Sequence, residues 1–416
     1  MDKRSFLQLL GLGGLGLGTE LPWIPSWLED SKSDAAFWNK VRADYTLTDA
    51  YINLESGYYN IIPQPTLKAL QAHIEAINLR GSHYMRNDQF PDKKRVVQSL
   101  AEVVGCEADS LILTRNTTES LNTVIKGIPW KAKDHIIFAN QEYGAMQQMI
   151  RQVAKRFNLA ITNLDIPMHP ESDEEIVAHY EALITPQTRL ILVSHMVNIT
   201  GHILPIKKIC DMAHGHGVEV LVDGAHCIGH FDFKINDLNC DYYGSSLHKW
   251  LATPLGCGLL YINPKHQDTL WPLFTEDHQM TEGIQRFGHQ GTHPVYHDLA
   301  IENAITYYQA LGSTRKEERL RSLTTMWMQA VKEHPNVEIN TPLDAERYAG
   351  IGNVGIKGMR ASVLAKKLLE EFGVFTVAIE GAGVNGCRIT PNVFNTDEEI
   401  DEFTKAMLQL ADKSRA

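Results

Sequence analysis

The chain has 416 residues, 44% hydrophobic and 21% charged, which excludes disordered, fibrous and multi-span membrane classes and suits two to three domains or one large domain with a smaller partner. Its 39 basic and 50 acidic side chains give a net charge of −11 with no basic block, so a nucleic-acid-binding surface is not expected. The 6 scattered cysteines hold no C-x-x-C pair and read as buried free thiols; no metal site is expected.

Residues 1–34 are unlike the rest. Lys3-Arg4 precede Ser5-Phe6-Leu7-Gln8 and a Gly/Leu run ending at Gly18. This resembles a twin-arginine export signal with Lys in place of the first Arg, so periplasmic export is favoured; the alternative is an N-terminal arm on a cytoplasmic enzyme. The run is too short for a stable membrane span. Its Gly11-Leu12-Gly13-Gly14-Leu15-Gly16 has the dinucleotide-binding spacing, but no strand precedes it and no strand–helix–strand unit surrounds it.

Residues 35–60 form a lead-in segment. Apolar spacing predicts helices over 65–79 and 93–104. Between them Arg80, His83, Tyr84 and Arg86 suit either a substrate entrance or a solvated loop. A short strand, Ser110–Thr114, runs into Arg115-Asn116-Thr117-Thr118, a polar turn that opens a helix. Such a turn either caps the helix or offers N–H groups to a phosphate. Strands at 135–139 and 190–194 are followed by Tyr143 and Asn198 in their respective loops. The helix over 206–214 crosses back to Val220-Leu221-Val222-Asp223. Strand, helix, strand in alternation implies a mainly parallel sheet. Asp223 stands at the carboxyl end of a buried strand, where open α/β sheets bind ligands; an Asp-Gly pair is also a common turn former.

Asp241-Tyr242-Tyr243-Gly244-Ser245-Ser246-Leu247-His248-Lys249-Trp250 places one lysine among apolar and small residues. A buried lysine loses its charge readily and becomes a nucleophilic amine; a snorkelling surface lysine is the bland alternative. His289, His293 and His297 fall four apart, but Gly291 and Pro294 interrupt any helix that would gather them on one face. Residues 61–300 are expected to form a large domain and 301–416 a smaller α/β domain, with a helix over 298–311 linking the two. Near the end, Arg388 follows Gly386-Cys387 and precedes Ile389-Thr390-Pro391-Asn392. Its apolar flanks argue against a surface ion pair, and a guanidinium matches a carboxylate in bidentate geometry.

The blocks Val222-Asp223-Gly224-Ala225-His226 and Tyr242 to Tyr261 are similar to the class V aminotransferase family of pyridoxal-phosphate enzymes. The stretch from Arg286 to Gly312 resembles the isopenicillin N epimerase-like subgroup best. The resemblance runs from about Asn53 to Leu410. It implies the fold type I, aspartate aminotransferase-like α/β architecture: a large domain with a mainly parallel sheet and a smaller C-terminal α/β domain. It also implies pyridoxal 5'-phosphate as cofactor, an amino-acid substrate and a homodimer with shared active sites. In that reading Lys249 forms the Schiff base and Asp223 keeps the ring nitrogen protonated. Thr117 and Thr118 bind the phosphate, Tyr143 stacks on the ring and Asn198 donates to the phenolic oxygen. His226 and Ser246 fix ring and phosphate, and His248 supports the phosphate or the lysine. Arg388 grips the substrate α-carboxylate, and Thr292 reaches the partner's cofactor phosphate. Transaminase, epimerase and β-lyase outcomes all start from such a site. Residues 378–386 contain no cysteine, and Cys387 abuts the arginine, so a desulfurase is disfavoured. A non-catalytic scaffold of the same fold is the alternative from another class.

Overall fold

Leu190-Ile191-Leu192-Val193 and Val220-Leu221-Val222 are apolar on both faces, and such runs are stable only in a sheet covered on both sides. The computed structural model, which describes residues 34–275 and 283–413, places them at a sheet centre. The export-signal expectation for residues 1–34 falls almost wholly outside the described residues.

The strands in chain order are β1 (Ile52–Asn53), β2 (Leu111–Thr114), β3 (His135–Ala139), β4 (Ala160–Leu164), β5 (Thr188–Ser194), β6 (Glu219–Asp223), β7 (Tyr242–Ser246), β8 (Gly258–Ile262), β9 (Val337–Ile339), β10 (Gly352–Ile356), β11 (Val374–Phe375), β12 (Val377–Gly381) and β13 (Val384–Ile389). The large sheet has seven strands in the order β2-β8-β7-β6-β5-β3-β4. All run parallel except β8, which is antiparallel to β7 and β2. The β7–β8 connection, residues 247–257, therefore reverses the chain without a crossover helix, and it carries Lys249. Side chains alternate across the sheet with period two. Ile137, Ile191, Val193, Val220 and Val222 pack on one face with Val96, Leu100 and Ile301. Ile136, Phe138, Leu190, Leu192 and Leu221 pack on the other with Leu121, Ile125 and Ile150. The fold is α/β with a mainly parallel central sheet, as the sequence implied.

The second sheet is antiparallel, β12-β13-β10-β9. Its core joins Trp327, Val354, Leu364, Ile389, Phe403 and Met407 from helices Ser313–Val331, Ala361–Phe372 and Asp397–Lys413 and from the strands between them. Helix Val295–Leu311 packs on helices Gln64–Arg80 and Gln89–Val104 of the large domain. The lead-in segment crosses to the small domain, where β1 pairs with β11 through Ile52 and Val374.

Residues 80–90 are not a solvated loop. A short helix, Ser82–Asn87, fills the gap between its neighbours. Tyr84 is buried and donates to Asp92 at 2.8 Å, and Arg80 pairs with Asp88. These partners satisfy groups that local polarity alone assigns to water. Among the described residues no helix is long and apolar enough to cross a membrane.

Asp241, at the start of β7, anchors the sheet's far end. It is fully buried and accepts from the Val220 N–H at 2.7 Å, Lys265 at 2.7 Å, His266 at 2.8 Å and His214 at 2.9 Å. Burial alone would raise its carboxyl, but the bonds from His266, Lys265 and His214 outweigh it and hold it well below the usual carboxylate range. A depressed acid stabilises the fold above its unfolded value, about 3.9, and that contribution is lost as pH falls through the folded value. Asp241→Asn should cost roughly 3 kcal/mol at pH 7, a loss that shrinks towards pH 3. Urea midpoints at the two pH values check this, and equal midpoints for the two proteins at pH 7 would sink it.

Candidate active site

The ends of β5, β6 and β7 form the floor. Ser194 pairs with Asp223, and Asp223 with Gly244, so three chain ends emerge side by side. The strand order reverses between β3 and β5, which opens a crevice beyond their carboxyl ends. The loop after β3 brings Tyr143 to that crevice, and the loop after β5 brings Asn198. Gly224 lets the chain leave β6: a Cβ there would lie 2.1 Å from the Tyr243 ring.

The resulting cleft has a volume of about 310 Å³. Lys249, Asp223, Arg388, Thr117, Thr118, Tyr143, Asn198, His226, Ser246 and His248 all line it. Thr292 does not. It lines a separate hollow with Phe90, Gly291 and His293.

Asp223 is buried, with its Oδ1 accepting from the Ala225 N–H at 3.0 Å. Burial pushes its carboxyl up, while Ala225 and Lys249 act against that. A buried acid is costly unless a positive group faces it, which suits a protonated ring nitrogen. Beneath it lies Glu142, which sequence reasoning passed over. Glu142 accepts from the Ser194 N–H at 2.9 Å and from Ser194 Oγ at 2.5 Å. Burial raises it to about 8, so near neutral pH it stays protonated and adds no second negative charge beside Asp223. Its only sequence signal is an acid three residues past a buried strand.

Lys249 Nζ lies 3.0 Å from His226 Nε2. The Trp250 indole N–H donates to His226 Nδ1 at 3.3 Å. An indole can only donate, so the hydrogen-bond network assigns the ring proton to Nε2. Burial holds His226 well below the ordinary histidine range, so the ring is neutral. Its Nε2–H then points at Lys249, which can accept only as a neutral amine. Burial, helped by Arg388 and opposed by Asp223, lowers Lys249 to about 8. Trp250 is itself held by stacking on His230, with ring centroids 3.7 Å apart.

At the other end, helix Thr117–Gly127 points its N-terminus at the cleft. Asn116 caps it, accepting from Glu119 N–H. The capping and phosphate readings of this turn therefore coexist, with Asn116 as the cap and Thr117 and Thr118 on the cleft. The Thr117 N–H donates to Ser246 Oγ at 2.9 Å, and the two hydroxyls lie 2.7 Å apart. His248 is anchored to the Cys257 carbonyl at 3.2 Å and lowered by burial to about 4. Hydroxyls beside a helix N-terminus suit a dianion. Tyr143 is 48% exposed, so it is a cleft residue and not a packed core tyrosine.

Arg388 sits on β13 of the small domain, opposite. Sequence reasoning expected its fork to await a substrate. Instead Nη2 donates to Glu55 Oε1 at 2.5 Å, Nε to Glu55 Oε2 at 3.3 Å, and Nη1 to the Asn198 carbonyl at 3.1 Å. This is an ion pair, but a buried one, with the two side chains 8% and 6% exposed. Glu55 was missed because it lies in the short lead-in, far from Arg388 in sequence. Gly57 backs onto the guanidinium: a Cβ there would lie 2.9 Å from Arg388 Cζ.

A half-buried amine with a lowered pKa, a buried acid, an aromatic ring and an anion cradle in one cleft fit a phosphorylated heteroaromatic aldehyde. The comparisons with known proteins agree. The family model "Aminotransferase class-V" matches residues 60–403. Isopenicillin N epimerase from Streptomyces clavuligerus is 27% identical over 389 residues, covering 89% of this chain and 98% of that protein. The apo structure of cysteine desulfurase from Thermococcus onnurineus NA1 superposes with a TM-score of 0.80 at 22% identity, over 90% of this chain and 98% of the other. A variant of C-DES, with glycine covalently linked to its PLP cofactor, also gives 0.80 at 22% identity, over 89% and 99%. The chain belongs to the class V aminotransferase family, an enzyme family whose cofactor is pyridoxal 5'-phosphate.

Proposed function

We infer that the protein moves a proton at the α-carbon of an amino acid, with Lys249 as the base and reprotonation at the same carbon, in the manner of an epimerase. The observation that carries this is the Lys249 amine in the cleft, held 3.0 Å from His226 Nε2 and lowered by desolvation to about 8, which brings its free-base form within reach near neutral pH. Bound pyridoxal phosphate supplies an aldehyde that condenses with amines and a ring that accepts electrons from the α-carbon. The protein's own groups do the rest. Lys249 is the nucleophile that captures the cofactor and then takes the α-proton. Asp223 would keep a proton on the ring nitrogen. Thr117, Thr118, Ser246 and His248 would hold the phosphate, Tyr143 would cover the ring, Asn198 would donate to its phenolic oxygen, and Arg388 would receive the α-carboxylate.

Similarity to epimerases over 89% of the chain supports reprotonation over transamination or β-elimination. Desulfuration is opposed by the cysteines. Cys387 is buried in the small-domain core and its thiol is pushed up to about 12 by burial. Cys106, the one cysteine that is not fully buried, is likewise pushed up to about 12. A thiolate nucleophile needs the opposite shift.

The test adds L- and D-amino acids singly to the loaded enzyme while its visible spectrum is followed. Inverted product chirality without net change of the cofactor is expected. Accumulation of the amino form of the cofactor, reversed by a keto acid, would make it a transaminase; release of a β-group would make it a lyase. No borohydride-fixed adduct at all would mean a scaffold.

In this reading Thr292, which lies outside its own cleft, serves a second copy by reaching the partner's cofactor phosphate in a homodimer, so Thr292→Ala should weaken cofactor retention without altering a monomer's cleft. Sedimentation of the loaded protein should give a dimer. The N-terminal twin-arginine-like segment supports export to the periplasm, which cell fractionation tests directly.

A further inference from the structure

Glu55 reaches the cleft on a strap laid along the small domain. The Thr390 N–H donates to the Leu54 carbonyl at 2.8 Å, and the Ser56 N–H donates to Thr390 Oγ1 at 2.7 Å. The strap presents the Glu55 carboxylate with both oxygens engaged. Oε1 accepts from Arg388 Nη2 at 2.5 Å and from the Tyr58 N–H at 2.9 Å; Oε2 accepts from Arg388 Nε at 3.3 Å and from Thr390 Oγ1 at 3.4 Å. Two oxygens on one edge of a guanidinium is the geometry of a bound carboxylate.

We propose that Glu55 is a specificity-determining residue that occupies, in the free enzyme, the seat a substrate carboxylate takes on Arg388. This rests on the reading that Arg388 receives that carboxylate. Two carboxylates cannot share one edge of one guanidinium without repelling each other, so an entering ligand must displace Glu55. Its affinity is then reduced by the fraction of molecules in which the fork is open. A bare small carboxylate, with little else to contact, is penalised most. A ligand with further groups for the cleft recovers the cost through those contacts. The strap itself stays in place, because Leu54 and Ser56 on either side are buried and Leu54 belongs to the small-domain core; displacement is a rotation of the Glu55 side chain towards the cleft rim, where Tyr58 is 77% exposed. Glu55 thus selects for substrates that bring more than a carboxylate.

The test uses propionate, which has the carboxylate and no amine, titrated by ligand-observed NMR into the cofactor-loaded protein. Glu55→Gln should bind propionate on the order of tenfold more tightly than wild type. A merely structural role for Glu55 predicts weaker binding, because damage to the strap would misplace Arg388. Unchanged or weaker binding in Glu55→Gln therefore overturns the proposal. Arg388→Gln separates the two readings. If it loses propionate while Glu55→Gln is unchanged, the carboxylate role of Arg388 stands and only the Glu55 proposal falls. If it binds propionate as wild type does, the carboxylate role itself fails. Should Glu55→Gln not fold, Glu55→Ala is read in the same way.

Discussion

Lys249→Ala is expected to abolish turnover, with kcat reduced by roughly 10⁴-fold or more, and to leave no borohydride-fixed adduct on the protein. One amine serves here as both nucleophile and base, so one substitution removes two functions. No neighbour replaces it. Lys316, buried elsewhere, is lowered by burial to about 7, but its amine donates to the Trp250 carbonyl and does not line the cleft. Misfolding is not a competing explanation, and the sign of the linkage shows why. The Lys249 folded value, about 8, lies below the unfolded one, about 10.4. The folded state therefore binds fewer protons between them, and the burial penalty is fully present below pH 8 and fades as pH rises to the unfolded value. At pH 7 alanine removes that penalty, so the variant should melt no lower than wild type. In wild type the rate of covalent cofactor capture should rise with a midpoint near pH 8. Peptide mapping after reduction, together with kcat, checks the assignment, and an adduct forming at the wild-type rate in the alanine variant would refute it.

Asp223→Asn is expected to lower kcat by about 10²–10³-fold while cofactor binding persists through Lys249 and the phosphate cradle. The carboxylate is buried beneath the cleft, where a charge interacts strongly with whatever faces it. Asparagine keeps the shape but not the charge, so the ring nitrogen loses the partner that holds its proton. Asp223 carries a folded value raised by burial. A raised acid makes the fold lose stability as pH climbs from the unfolded value through the folded one. Asparagine removes that slope, so the variant's stability in the apoprotein should vary less with pH across the acid range. A kcat within twofold of wild type would mean that Asp223 serves the turn and not the ring.

Much of this site is legible along the chain because its local signals are strong. Buried strands announce themselves as short apolar runs, and Asp223 follows one directly. Lys249 is conspicuous as a lone charge among small and apolar neighbours. Thr117 and Thr118 stand at a polar turn between a strand and a helix. Each of these is decided by residues within a few positions, and period-two burial does the rest.

What the chain order alone determined is therefore the α/β alternation, the parallel core strands, and the amine and acid at their ends. What only the tertiary structure decided are pairings between distant segments. Arg388 and Glu55, 333 residues apart, meet; β1 joins β11; Glu142 closes on Ser194; Trp250 selects the His226 tautomer whose Nε2–H faces Lys249. These depend on which strand ends the sheet order sets side by side and on how the lead-in strap crosses to the small domain. A residue's neighbours along the chain do not encode the partner that loop closure brings to it, and for Arg388 that partner decides whether its charge is free or already matched.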